Sequence, residues 1–162
     1  MPAKPVPEGF HTLTPYLTVK DAPRAIEFYK QAFGAEVRGI HYAPDGRILN
    51  ADLKIGDSVL LLNEEFGEMG AKSPLSLGGS PVTVHIYVED VDKLFDQAVK
   101  AGATTVMPVM DMFWGDRYGH VTDPFGHKWS MATHKQDLTS EEIEKGARAA
   151  FERMAAKGQG AG

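Results

Sequence analysis

Two stretches decide the reading of this chain: Leu13-Thr14-Pro15-Tyr16-Leu17-Thr18-Val19-Lys20-Asp21 and Val82-Thr83-Val84-His85-Ile86-Tyr87-Val88-Glu89-Asp90. Each alternates in character, as a strand does when successive side chains point to opposite faces. Each ends in Val-charged-Asp and runs into apolar residues at helical spacing. In the first these are Ala22, Ala25, Ile26, Tyr29, Ala32 and Phe33; in the second, Val91, Leu94, Phe95, Ala98 and Val99. Asp21 and Asp90 suit the N-cap, where a carboxylate accepts from the unpaired amides of the first turn. Gly34 and Gly102, each followed by alanine, suit the left-handed position that ends a helix. The chain therefore reads as a duplication.

Outward from these stretches, each helix is followed by three short strands. In the first half they fall near Val37–Tyr42, Ile48–Lys54 and Ser58–Asn63, with turns at Pro44-Asp45-Gly46 and Ile55-Gly56-Asp57. In the second half they fall near Thr104–Met110, Tyr118–Thr122 and Lys128–Thr133, with Asp123-Pro124-Phe125-Gly126 read as a turn and nothing more. The half-modules span residues 11–66 and 82–135 of one domain over 8–135, joined by the Gly- and Pro-containing loop from Phe66 to Pro81. Residues 136–162 form a charged helix capped by Thr139 or Ser140, running to about Ala156, and a Gly-rich tail expected to fray.

Composition removes several function classes. The 162 residues include no cysteine, which excludes disulfides, thiolate metal sites and cysteine nucleophiles. The formal net charge is −5 and the 17 basic residues are dispersed, so no nucleic-acid partner is expected. Apolar runs such as Val59 to Leu62 are far too short to span a membrane, and residues 1–11 lack a signal-peptide core. The chain is expected in the cytoplasm, with no membrane partner.

The strand faces indicate where a ligand goes. Leu13, Leu17 and Val19 oppose Thr14, Tyr16 and Thr18; Val82, Val84, Ile86 and Val88 oppose Thr83, His85 and Tyr87. The aliphatic face covers the helices. The face of Thr, Tyr and His is too polar for a packed core and suits a pocket wall.

Local phrases then carry a resemblance: Thr14-Pro15-Tyr16-Leu17, Ala25-Ile26-Glu27-Phe28-Tyr29-Lys30, Ile55-Gly56-Asp57-Ser58, Gly115-Asp116-Arg117, Asp123-Pro124-Phe125-Gly126-His127 and Ala132-Thr133-His134. With the duplicated module, they resemble the PhnB-like branch of the vicinal oxygen chelate superfamily, which includes glyoxalase I, extradiol dioxygenases and bleomycin-resistance proteins. The resemblance implies an α+β fold of two βαβββ modules forming a curved mixed sheet around a pocket (glyoxalase/bleomycin-resistance-like), plus the C-terminal helix. It also implies a homodimer. Enzymes of the superfamily use a divalent metal held by His, Gln or Glu. Carried over, three of those positions fall on Thr14, Thr83 and Ser130, and the fourth near Leu61 to Asn63. A catalytic metal needs about three N or charged-O ligands, so neither metal nor other cofactor is expected. The expected function is binding of a small organic molecule, in a resistance or sequestration role. The alternative is a metal-dependent lyase or isomerase acting on a carbonyl compound, the metal polarising an enediolate oxygen.

The substrate-binding residues are expected to be Thr14, Tyr16, Thr83, His85, Tyr87, Trp114, Arg117 and Ser130; no catalytic residue is assigned. Each has a plainer reading. His85 either meets the ligand or bonds a neighbouring strand. Arg117 either offers a planar fork to an anionic or carbonyl oxygen or pairs with Asp116 to shape the hairpin. Tyr16 and Trp114 either stack on a planar ligand or serve as core or dimer contacts. His127 and His134 read as structural, His120 fits either role, and Glu64-Glu65 reads as a solvated edge.

Overall fold

The computed structural model describes residues 2–160; Ala161 and Gly162, the end of the expected tail, lie outside the described residues. The first module is β1 (Tyr16–Val19), α1 (Ala22–Phe33), β2 (Glu36–Tyr42), β3 (Ile48–Ile55) and β4 (Ser58–Glu64). A linker with a short helix α2 (Pro74–Leu77) leads to β5 (Thr83–Tyr87), α3 (Val91–Ala101), β6 (Thr104–Asp111), β7 (Asp116–Thr122), β8 (Lys128–His134) and α4 (Ser140–Gln159). The strands form two separate four-stranded sheets, ordered β1-β4-β3-β2 and β5-β8-β7-β6, rather than one continuous sheet. In each, the first strand runs parallel to the last and the other pairings are antiparallel.

The expected caps form. Asp21 Oδ1 accepts from Arg24 N at 3.3 Å and Asp90 Oδ1 from Lys93 N at 3.1 Å. Gly34 closes α1 in the left-handed region at φ 67°. Glu64 and Glu65 are not a solvated edge. The Glu64 carboxylate accepts from the amides of Asp21 and Ala22 at 2.7 and 2.6 Å, anchoring the start of α1. Glu65 accepts from Ser73 N at 2.6 Å, and hydrogen bonds from Ser73 and Ser76 hold its pKa down at about 2. Thr139 and Glu142 form a capping box that starts α4, which runs three residues beyond the expected end.

The core lies between the sheets and α1 and α3, which pack on each other; Gln97 Nε2 donates to Ala32 O at 3.1 Å across that contact. Ala22, Ala25, Ile26, Tyr29, Ala32 and Phe33 are buried as their spacing predicts, joined by Phe28. In α3 only Val91, Phe95 and Ala98 are buried. Val99 is exposed and Leu94 half-buried, contrary to the periodicity. Leu13 is also no core residue: it precedes β1 and is 88% exposed.

Asp123 joins the modules. Its carboxylate is 4% exposed and accepts four hydrogen bonds, from Phe125 N (2.9 Å), His127 N (3.0 Å), Tyr29 Oη (2.5 Å) and Trp129 Nε1 (2.9 Å). The first two make the turn; the third comes from α1 of the other module. The turn residue is thus also an inter-module bolt, and His127 Nε2 adds a second link to Thr18 O at 2.8 Å. Burial, then the adjacent Asp123, push the Tyr29 phenol well above its ordinary pKa, so it stays a donor. Asp123→Ala strands buried donors on both modules and is expected to cost about 3 kcal/mol or more. Tyr29→Phe should cost about 2 kcal/mol, because only one charge-assisted bond is lost. Urea unfolding of both variants checks the order; equal, sub-kcal/mol losses would dismiss the bolt.

Candidate functional site

The face of the second sheet turned away from α3 gathers a polar and aromatic network. Alternation places Thr83, His85 and Tyr87 of β5 there, with Asp116, Tyr118 and His120 of β7 and Ser130 and His134 of β8. His85 Nδ1 lies 2.6 Å from Ser130 Oγ. Its ring meets Tyr87 edge-on at 4.6 Å and stacks on Tyr118 at 6.0 Å. Trp114 sits in the 112–116 turn, which is closed by Met112 N donating to Asp116 O at 2.8 Å, and packs edge-on against Tyr118 at 5.4 Å.

Asp116 is the hub of this network. Its carboxylate, 4% exposed, accepts from Tyr87 Oη at 3.0 Å and Trp114 Nε1 at 3.2 Å on one oxygen. The other oxygen lies 2.7 Å from His134 Nδ1, whose Nε2 lies 2.8 Å from Asp137. Burial raises the Asp116 pKa, but the donors of His134, Tyr87 and Trp114 outweigh it and the net shift is downward. His134 is shifted upward by Asp137 and Asp116; with a carboxylate at each ring nitrogen, only the imidazolium donates to both. His85 moves the other way. Burial lowers its pKa against the pull of Asp116, so it is neutral at pH 7 and keeps an acceptor nitrogen.

A cleft of about 560 Å³ opens along the free edge of β5. Its lining includes Val84, His85, Ile86, Tyr87 and Val88 in succession, Leu13 to Pro15 of the segment before β1, and Ile55 to Leu60 around the β3–β4 turn. Phe33, Leu94 and Trp129 line it as well. Of the expected site residues, Thr14, His85 and Tyr87 meet in this cleft, and His85, Tyr87, Trp114 and Ser130 meet in the network. Thr83 shares the network's face, paired with Lys128 in register. Tyr16 stands on the corresponding face of the first sheet, 50% exposed, beside Leu61 and in line with Thr18, which donates to Asn63 Oδ1 at 2.8 Å. Burial and then Asp52 raise its pKa.

Arg117 is on neither surface. It projects from the α3 side of β7 and forks onto Asp92, Nε to Oδ2 at 2.7 Å and Nη2 to Oδ1 at 2.9 Å, with Asp111 at 3.3 Å. The reading of Arg117 as a partner of Asp116 is corrected, because strand alternation sends the adjacent residues to opposite faces, and the fork is taken by Asp92 and Asp111 instead. Asp116, Tyr118 and His134 are the site residues the sequence reading missed. The i, i+2 spacing of Asp116 and Tyr118 with His120 was the signal that could have found the first two.

The comparisons with known proteins come to one answer. A family model described as Glyoxalase/Bleomycin resistance protein/Dioxygenase superfamily matches residues 9–131. The chain belongs to that superfamily. An uncharacterized protein of Mycobacterium tuberculosis is 47% identical over 135 residues, covering 82% of this chain and 79% of its own. A solved gene product of Arabidopsis thaliana is 30% identical with a TM-score of 0.62, covering 76% and 98% of the two chains. TioX from Micromonospora sp. ML1 is 29% identical with a TM-score of 0.61 over the same shares. A Bacillus cereus structure titled a putative 3-demethylubiquinone-9 3-methyltransferase, PhnB protein, shares the fold at 16% identity, TM-score 0.55, over 76% and 99%.

The superfamily's metal was tested against the donors present. Ser130 Oγ is engaged by His85 and Thr83 offers only a hydroxyl. Thr14 lies 3.5 Å from His11 O. At the fourth position Leu61 and Asn63 share the face of Tyr16, one apolar and the other held by Thr18. Among the described residues no three His, Cys, Asp or Glu side chains are grouped to hold a metal ion. These donors do not fit a superfamily-type metal site.

Two expectations follow. Arg117→Lys should lower the melting temperature slightly, since a point charge replaces a two-pronged fork on a partly exposed pair, and should leave ligand affinity alone. An affinity loss with unchanged melting would return Arg117 to the site. His134, whose folded pKa is raised, contributes stability in full below its unfolded pKa of about 6.5, lost as pH rises through the folded value. The melting advantage of wild type over His134→Asn should therefore shrink across that window; a constant difference would remove the double ion pair.

Proposed function

We propose that this protein binds a small organic molecule with a planar, oxygen-bearing head, without a metal, on the face built by His85, Tyr87, Tyr118 and Trp114. The observation that supports this most is the Asp116 network. One buried carboxylate fixes Tyr87 and Trp114, so two aromatic groups are presented in set orientations with little rotamer entropy left to lose. Neutral His85, held through Nδ1, presents its remaining ring edge beside them. The tyrosine hydroxyl donates to Asp116 and keeps its oxygen lone pairs for a ligand donor. A hydrophobic or aromatic wall with a few fixed polar groups is the usual composition of a small-molecule site. A sequestration or resistance role fits such a surface, because retention needs no reacting group.

The working form is a homodimer. Tyr16 on the first sheet and Tyr87 on the second, 63% exposed, lie on open faces that a second copy covers by two-fold pairing. No helix among the described residues is long and apolar enough to cross a membrane.

The test is thermal shift and tryptophan fluorescence with a panel of planar phenols and quinones. His85→Ala should weaken any ligand found by about tenfold, as loss of one hydrogen bond and one ring contact implies. EDTA should leave affinity unchanged, and sedimentation at micromolar concentration should give a dimer. Binding lost on EDTA treatment and restored by one equivalent of zinc, nickel or manganese would overturn the metal-free reading.

A further inference from the structure

The duplication supplies an internal control on the cleft. With Asp21 and Asp90 as the reference, Leu17 and Val19 correspond to Ile86 and Val88, and Ala25 to Leu94. In the first module this layer is closed: Leu17 is 6% and Val19 0% exposed, and Ala25 is buried. In the second module the same layer is open. Ile86, Val88 and Leu94, together with Val84, are only half-buried, and all four line the cleft. These aliphatic side chains pack against the core with part of their surface and leave the rest to the cleft, which Phe33 and Trp129 also line. The cleft also joins the polar network. Successive β5 side chains alternate in direction, so a wall containing Val84 to Val88 without a gap runs along the strand's edge and connects its two faces. His85 and Tyr87 belong to both surfaces.

We infer that the cleft receives the aliphatic chain of an amphiphilic ligand whose planar head lies on the His85–Tyr87 network, so that the ligand class is an alkyl- or acyl-substituted phenol, quinone or related carbonyl compound. The inference rests on the binding reading above for the head and adds the chain. An aliphatic chain fits because most of the lining is aliphatic or aromatic, and the polar residues other than His85 and Tyr87, namely His11, Thr14, Asp57 and Ser58, come from the N-terminal segment and the β3–β4 turn. The roughly 560 Å³ of the cleft is within the range of sites for ligands of that size.

Alkyl 4-hydroxybenzoates from methyl to octyl test it by calorimetry, with n-alkanols of matching length as head-less probes. Affinity should rise two- to fourfold per added methylene, the upper figure corresponding to the ~0.8 kcal/mol of a fully buried CH₂. Ile86→Trp and Val84→Phe fill the cleft and should flatten that dependence; circular dichroism reports which of the two is folded, and either suffices. His85→Ala should weaken every ester while preserving the slope. Methyl ester binding with no chain-length dependence, or a slope unchanged in a folded filled variant, overturns the inference and leaves the head site standing. Alkanol binding that rises with length without methyl ester binding keeps the cleft and dismisses the head. Binding of neither series dismisses both. If the filled variants instead convert a dimer to a monomer in sedimentation, a second copy occupies the cleft and the inference fails.

Discussion

The buried carboxylate of Asp123 is the constraint on which the rest depends. A charge removed from water is tolerated only when its lone pairs are fully occupied, and here two turn amides, a tyrosine hydroxyl and an indole N–H occupy them. Two of those donors belong to the turn between β7 and β8, one to β8 and one to α1. The same few atoms therefore set the last hairpin and lock α1 of the first module against the second. The rings of Phe28, Tyr29, Phe33, Phe125 and Trp129 pack around the bond, with centroid separations from 4.6 to 6.3 Å, and keep water from competing for it. Once the helices are locked together, each sheet must turn its other face outward.

The two modules solve the same problems with different atoms. At the start of α1 the Glu64 carboxylate takes two amides; at the start of α3 the Thr133 hydroxyl takes Val91 N at 2.9 Å and donates to Val88 O at 2.8 Å. The outward strand positions have diverged further. Tyr16 and Thr18 of β1 correspond to His85 and Tyr87 of β5. Thr18 is tied to a neighbouring Asn63 and makes sheet; Tyr87 is tied to Asp116 and makes part of a network. A duplicated fold lets the outer face of one copy stay simple while the other accumulates a polar and aromatic network, because the Asp123 lock holds both regardless of what their outer faces carry.

The fold was legible because its signals are local. Strand alternation, helical spacing, capping aspartates and C-terminal glycines each occupy a few consecutive residues, and all recur in the second half. The site was legible only in part. His85 and Tyr87 are proposed from strand parity, Trp114 from the aromatic turn and Ser130 from the superfamily resemblance; the structure brings the four together. The partner of Arg117 was not legible, because nearness in sequence points to Asp116 while strand parity turns the side chain to Asp92, 25 residues away on α3. The hub role of Asp116 was hidden for a related reason: its partners Tyr87 and His134 lie on strands whose register no local pattern states. The cleft was invisible, since Phe33, Ile86 and Leu94 read as apolar residues of a packed layer, and the half-burial of Ile86 and Leu94 shows only once the modules are assembled.

What the network can do chemically follows from how fully its ionisable groups are already engaged. The Asp116 carboxylate is committed to three donors, and protonating it would forfeit all three, so it is a poor proton acceptor near neutral pH. His134 has both nitrogens bound to carboxylates and holds its proton more tightly than a free imidazole, which removes it as a base. Tyr87, its proton pinned on Asp116, has its pKa pushed up by that bond and does not supply a phenolate. That leaves His85, neutral and anchored through one nitrogen, with spare hydrogen-bonding capacity, alongside His120, whose Nε2 has no partner among the described residues. A surface whose charges are spent on holding one another and whose free contacts are rings, imidazole edges and hydroxyl lone pairs suits the proposed binding role better than a reaction. Proton transfer to or from a bound molecule would have to pass through His85, Tyr118 or His120, the titratable groups on this face that no charge among the described residues holds.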